Sequence, residues 1–140
     1  MTHQEKSDAN ALIAEFMGGK VGVSLACHPY PKGLPDWAYE MYDFDKMRVG
    51  AYDYDCSWDW IMPVIDKISR IEYDRKFDEQ EQRDVIWTHY PVTFGMLNGE
   101  TSRPMFRFSC SGLFEADTLI EAAYLAVIDF IKWYNEKTIQ

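Results

Sequence analysis

The segment "TLIEAAYLAVIDFIKWYN", residues 118–135, constrains the fold more than any other. Thr118 and Glu121 form a T-x-x-E pattern, in which the hydroxyl and the carboxylate satisfy backbone N–H groups that a helix start leaves without partners. Behind it, Ile120, Ala123, Tyr124, Val127, Ile131 and Tyr134 recur at helical spacing, while Glu121, Asp129 and Lys132 fall towards water. A helix of about five turns with one apolar stripe is stable only when that stripe is covered. The rest of the chain must supply a cover, and a sheet is expected as its main packing partner.

Strand-like patterning occurs in the preceding third of the chain. "VIWTHYPVTFGML" (85–97) and "RPMFRFSCS" (103–111) read as strands joined by "NGETS", in which Asn98-Gly99 marks a hairpin. Alternation places Phe106, Phe108 and Cys110 on one face and Arg107 and Ser109 on the other. "KVGVSLAC" (20–27) also alternates, with Val21, Val23, Leu25 and Cys27 on one side, and "WAYEMYDF" (37–44) reads as a further short strand with Trp37, Tyr39 and Met41 on one face. Between them, "HPYPKGLPDW" carries three prolines and a glycine, which prevent regular structure.

Two more helices are expected. "SDANALIAEFMGG" (7–19) has Ser7 or Asp8 to cap it, Leu12, Ile13, Phe16 and Met17 as its apolar side, and Gly18-Gly19 to stop it. In "YDYDCSWDWIMPVIDKI" (52–68), Ser57 or Asp59 can cap, and Ile61, Val64, Ile65 and Ile68 form the stripe. Proline tolerates only the first turn of a helix without loss, so Pro63 predicts that Trp58 to Met62 form that turn or a tight lead-in. "DRKFDEQEQRD" (74–84) follows as a surface loop or a frayed extension.

These elements describe an α+β chain, a single layered α/β sandwich domain spanning 1–140, with a small, mostly antiparallel sheet and about three helices. Residues 1–7 are expected to be a flexible N-terminus, 28–56 an aromatic-acidic loop region and 118–136 the long C-terminal helix. At 140 residues, with 47% hydrophobic and 16% aromatic residues, folding can bury roughly two-thirds of the unfolded surface.

Charge and cysteine usage narrow the partners. Twenty-three acids against fourteen bases give a net charge of -9, a field that repels phosphate and anionic lipid, so nucleic acid is a poor partner. Acidic proteins that mimic DNA share such a charge, but here the acids are scattered in ones and twos. Cys27, Cys56 and Cys110 are far apart and odd in number, which argues for a reducing compartment. "MTHQEKSDAN" has no apolar core, so no secretory signal is expected, and no apolar run reaches the roughly 20 residues of a membrane span.

Three blocks, "NALIAEFMGG", "YDCSWDWIMPVIDKI" and "ADTLIEAAYLAVIDFIKWYN", together resemble the successive blocks of the phage ABA sandwich domain, a family of small phage and prophage proteins. The blocks span most of the chain. The resemblance implies a layered α/β domain, a viral or prophage origin and a setting in the bacterial host cytosol, with no activity, cofactor or catalytic residue to carry over. The stretch "CHPYPKGLPDWAYEMYDFDKMRVG" departs from the family's shorter members.

Catalytic chemistry finds little support in the spacing. Cys27 and His28 are adjacent, and adjacent residues of a strand point to opposite faces, whereas a thiolate-imidazole pair must meet in space. Cys56, near a helix start, could have a lowered pKa, but a buried or inert cysteine is the favoured reading. His28, His89, Asp53 and Asp55 could ligate a metal only through the fold, and Asp53, Asp55 and Asp59 offer carboxylates as any acidic chain would. Neither a metal nor a cofactor is expected, and a non-enzymatic reading is favoured.

The aromatics carry more. Trp37, Tyr39, Tyr42, Phe44, Tyr52, Tyr54, Trp58 and Trp60 crowd into 24 residues. Trp58 and Trp60, directly ahead of a core helix, are expected to close one end of the core. The others suit an interface or a ligand pocket equally well, since Tyr and Trp join large contact area to a polar handle. Two functions follow. In one, the chain is an interaction module that binds a host or phage protein, or itself as a homodimer, through an aromatic-acidic surface formed by Trp37, Tyr39, Tyr42, Tyr52 and Tyr54. In the other, the same rings bind or sequester a small planar, nucleotide-like ligand, with Arg48, Arg103 or Arg107 supplying cations for phosphate.

Overall fold

The computed structural model describes residues 1–79, 92–96, 103–108 and 112–139. Helix α1 runs His3–Phe16. Thr2 Oγ1 accepts from the Glu5 N–H at 3.1 Å, and Glu5 reaches back to the Thr2 N–H, completing a capping box. The helix therefore starts well before Ser7. That residue, expected to cap it at the end of a flexible tail, lies inside it and is buried. The C-terminus ends as predicted on two glycines: Gly18 N–H bonds the Glu15 carbonyl and Gly19 N–H the Ala14 carbonyl, with Gly18 at φ 91°. This is the Schellman arrangement, which needs a left-handed residue at that position. Lys67 donates to the Phe16 carbonyl at the same helix end and rides 4.3 Å from the Phe16 ring centre.

Residues 20–27 form no extended strand. Gly22 and Leu25 close a turn, Leu25 takes φ 65°, and only the isolated bridges Val21 to Cys27 and Ala26 to Arg48 remain. The alternation that suggested a strand is spent on a chain reversal, and Val23 stands fully exposed at its tip. The second expected strand is also replaced, by helix α2, Asp36–Met41. Pro35 precedes it with its ring-fixed φ of -64°, and Trp37 and Met41 share a side of the helix as they would of a strand, while Tyr39 leaves it. A 3-10 turn, Val49–Ala51, then packs against α1.

Helix α3, Trp58–Glu79, opens with Trp60 and Ile61 N–H both bonded to the Ser57 carbonyl. Ile61, Val64, Ile65 and Ile68 are buried as expected. Pro63 lies in the second turn, where the Asp59 carbonyl loses its helical donor and the helix nonetheless continues. Of the polar segment 74–84, the part to Glu79 is helical and the remainder lies outside the described residues.

Three antiparallel strands follow in the order β1-β2-β3: β1 Val92–Met96, β2 Pro104–Phe108 and β3 Phe114–Glu115. Phe94 opposes Phe106, and Phe106 opposes Phe114. The two-residue β3 has no patterning from which it could have been read. Phe106 and Phe108 are buried and Arg107 exposed, as alternation required. The hairpin at Asn98-Gly99, together with His89, Ser109 and Cys110, lies outside the described residues.

Helix α4, Leu119–Ile139, covers the sheet. Thr118 Oγ1 accepts from the Glu121 N–H at 3.3 Å, and Phe108 meets Phe130 with ring centres 5.8 Å apart. Ala123, Tyr124, Val127 and Ile131 are buried while Glu121, Asp129 and Lys132 are exposed. α1 and α3 also pack on α4, so this helix joins the helical layer to the sheet of a small α+β fold. Among the described residues no helix is long and apolar enough to cross a membrane.

Candidate binding face and the aromatic core behind it

The aromatic-acidic stretch divides into an interior and a surface. Phe44 and Trp60 are buried at the centre, their rings 5.9 Å apart. Tyr52 lies against both, and Tyr54 meets Trp60 edge-on at 5.1 Å. Tyr52 and Tyr54 are thus core residues rather than members of a contact surface or pocket wall, which corrects the sequence reading. Burial alternates along Tyr-Asp-Tyr-Asp, with both rings buried and Asp53 and Asp55 half-buried between and after them. Desolvation pushes both phenols up from their ordinary pKa.

The two acids hold the segment in place. Asp53 accepts from the Tyr42 hydroxyl at 2.8 Å and from the Cys56 thiol at 3.5 Å, and Asp55 pairs with Lys6 at 3.4 Å. These same carboxylates add to the effect of burial on Cys56. Desolvation first, and then Asp53 and Asp55, push its thiol up to about 11, which outweighs any lowering by the helix start and agrees with the favoured reading of an unreactive cysteine. Cys27 is buried, donates to the Pro29 carbonyl at 3.3 Å and is likewise pushed up by desolvation. His28 is exposed, with its ring 5.1 Å from that of Tyr30. Cys27 and His28 therefore make no nucleophile-base pair. Among the described residues no three His, Cys, Asp or Glu side chains gather as metal ligands.

The surface part is α2. Its six residues are too few to hold a helix unaided, and side chains on its inner side anchor it. Ala38 is buried, the Tyr39 hydroxyl donates to the Pro31 carbonyl at 2.6 Å, and the Tyr39 ring lies 5.6 Å from Phe44. Just past the helix end, Tyr42 sets its ring edge-on to Trp60 at 5.3 Å. On the outer side Trp37 is 44% and Met41 73% exposed, one turn apart. Trp37 is exposed, as a contact surface would need, whereas Tyr39 and Tyr42 are half-buried braces. Trp58, expected to help close the core, is exposed beside Met62, and only Trp60 takes the interior position.

The candidate cations lie on other elements. Arg48, exposed, leads into the 3-10 turn; Arg107 projects from the exposed face of β2; Arg103 pairs with Asp117 at 3.2 Å. Comparison of the chain with models of known families, with curated proteins and with solved structures gives no match.

Proposed function

We propose that this chain is a non-enzymatic interaction module, a phage or prophage accessory protein that acts in the host cytoplasm by gripping a protein partner through the outer side of α2. The observation that carries the reading is the exposure of Trp37 and Met41 side by side on a helix fastened from behind by Tyr39, Tyr42 and Phe44. Large rings on a rigid support lose little conformational freedom on binding, and such residues dominate interface energies. The phage setting draws on the resemblance of the three sequence blocks. A planar-ligand pocket loses two of its supposed walls, because Tyr52 and Tyr54 are interior.

The test is affinity capture from bacterial host lysate with the intact chain and with a Trp37→Ala/Met41→Ala variant, both first checked by thermal melting. A partner retained by the parent and lost by the variant, at unchanged melting temperature, is the expected result. Identical capture by both chains would remove α2 from the function.

A further inference from the structure

Helical geometry gives the α2 face a second property. At about 100° per residue, Asp36, Glu40, Trp37 and Met41 follow one another round the helix at roughly 0°, 40°, 100° and 140°. All four are exposed. The face thus presents two parallel rows, an acidic one of Asp36 and Glu40 and an apolar one of Trp37 and Met41, each with members about 6 Å apart along the axis.

The acidic row is not neutralised by ion pairs, in contrast to four acids elsewhere on the described surface. Asp43, Asp55, Asp66 and Asp117 are paired with Lys46, Lys6, Arg70 and Arg103 respectively. Asp36 and Glu40 have no ion pair among the described residues. Between positions 36 and 59 the sequence holds seven acids and only Lys46 and Arg48 as bases. Along the sequence, acids therefore outnumber bases around the row.

We infer that the partner segment is a basic amphipathic helix, with an apolar row that meets Trp37 and Met41 and a row of Lys or Arg that meets Asp36 and Glu40. The inference rests on the α2 reading above and deepens it. A helix is the matching shape because its own side chains lie in i, i+4 ridges, the spacing of the rows they must meet. A second copy of this chain is the wrong charge, since each carries a net -9. A face two turns long is small, so binding by this contact is weak and salt-sensitive.

The experiment titrates labelled 16-residue amphipathic helical peptides into the full chain and follows fluorescence anisotropy. Three peptides share the same Leu row and differ only in carrying Lys, Gln or Glu in the neighbouring row. The expected order is Lys tightest and Glu weakest. The Lys peptide should weaken about tenfold with Asp36→Asn/Glu40→Gln or on raising salt to several hundred millimolar, and should be lost with Trp37→Ala/Met41→Ala. Equal binding of the Lys and Gln peptides, or no effect of Asp36→Asn/Glu40→Gln, overturns the basic partner while leaving the docking face intact if Trp37→Ala/Met41→Ala still abolishes binding. Failure of every peptide overturns the helical partner, and only the lysate comparison then decides the face itself.

Discussion

Tyr124 donates its phenolic hydrogen to Oδ1 of Asn10 at 2.8 Å, joining α4 to α1 across 114 residues of sequence. The other end of the Asn10 amide donates to the carbonyls of Val49 at 2.8 Å and Tyr52 at 3.1 Å. One buried side chain thereby satisfies groups from three parts of the chain. Asn10→Ala removes three buried hydrogen bonds and takes the side-chain donor from the Tyr52 carbonyl, while the Val49 carbonyl keeps the Tyr52 N–H and the Tyr124 hydroxyl the Lys6 carbonyl, and a loss of about 2–4 kcal/mol is expected in urea unfolding. Tyr124→Phe leaves only the Asn10 oxygen unpaired, and about 1–2 kcal/mol is expected.

The aromatic stretch should divide sharply under alanine substitution. Trp60→Ala and Tyr54→Ala empty large volumes in the core and should each cost about 3–5 kcal/mol. Trp37→Ala, on the exposed side of α2, should cost less than about 1 kcal/mol. Thermal or urea unfolding of the three variants checks the division, and a Trp37→Ala loss as large as that of Trp60→Ala would make α2 a core element.

Tyr54 offers a finer test, because its hydroxyl is buried with no hydrogen-bond partner among the described residues. Tyr54→Phe removes a polar atom whose burial is uncompensated and keeps the ring. Stability should be unchanged or higher by up to about 1 kcal/mol.

Alkaline pH should destabilise the fold through the same interior phenols. Burial raises the pKa of Tyr52, Tyr54 and Tyr124 above the ordinary value near 10, so above that pH the unfolded chain releases these protons while the folded chain keeps them. The unfolded state then binds fewer protons, and stability, complete below pH 10, falls as pH rises. Ultraviolet titration of phenolate should show these tyrosines ionising only together with loss of the native circular dichroism.

Cys56 should alkylate slowly at neutral pH although its residue is exposed, since its thiol is held up to about 11. The rate of iodoacetamide labelling, followed by peptide mass mapping, should climb with pH towards that value. Asp53→Asn removes the carboxylate beside the sulfur and should shift the profile to lower pH.

How far these features were legible in the sequence depended on whether one local pattern had a single meaning. The T-x-x-E start and apolar stripe of α4 admit one reading, and the helix is where they place it. The same pattern at Thr2 and Glu5 starts α1, but it lies outside the apolar run on which the expected boundary was drawn. Trp37, Tyr39 and Met41 alternate like a strand, while Trp37 and Met41 are equally an i, i+4 helical pair, and the preceding Pro35 was the cue that favours the helix. The burial of Tyr52 and Tyr54 follows the Tyr-Asp alternation. What no local pattern holds is which exposed-looking ring meets Phe44 and Trp60, because that is set by contacts distant in sequence.

The Asn10 amide also sets an order of events during synthesis. α1 emerges from the ribosome before α4, yet the hydroxyl that completes its central hydrogen-bond set belongs to a residue made 114 positions later. Until α4 has left the exit tunnel, α1 can dock on the Val49–Ala51 turn but not on α4, and the part of its apolar side that α4 covers remains open to chaperones or to premature association. A pause in translation before α4 would therefore expose the chain more than a pause after it.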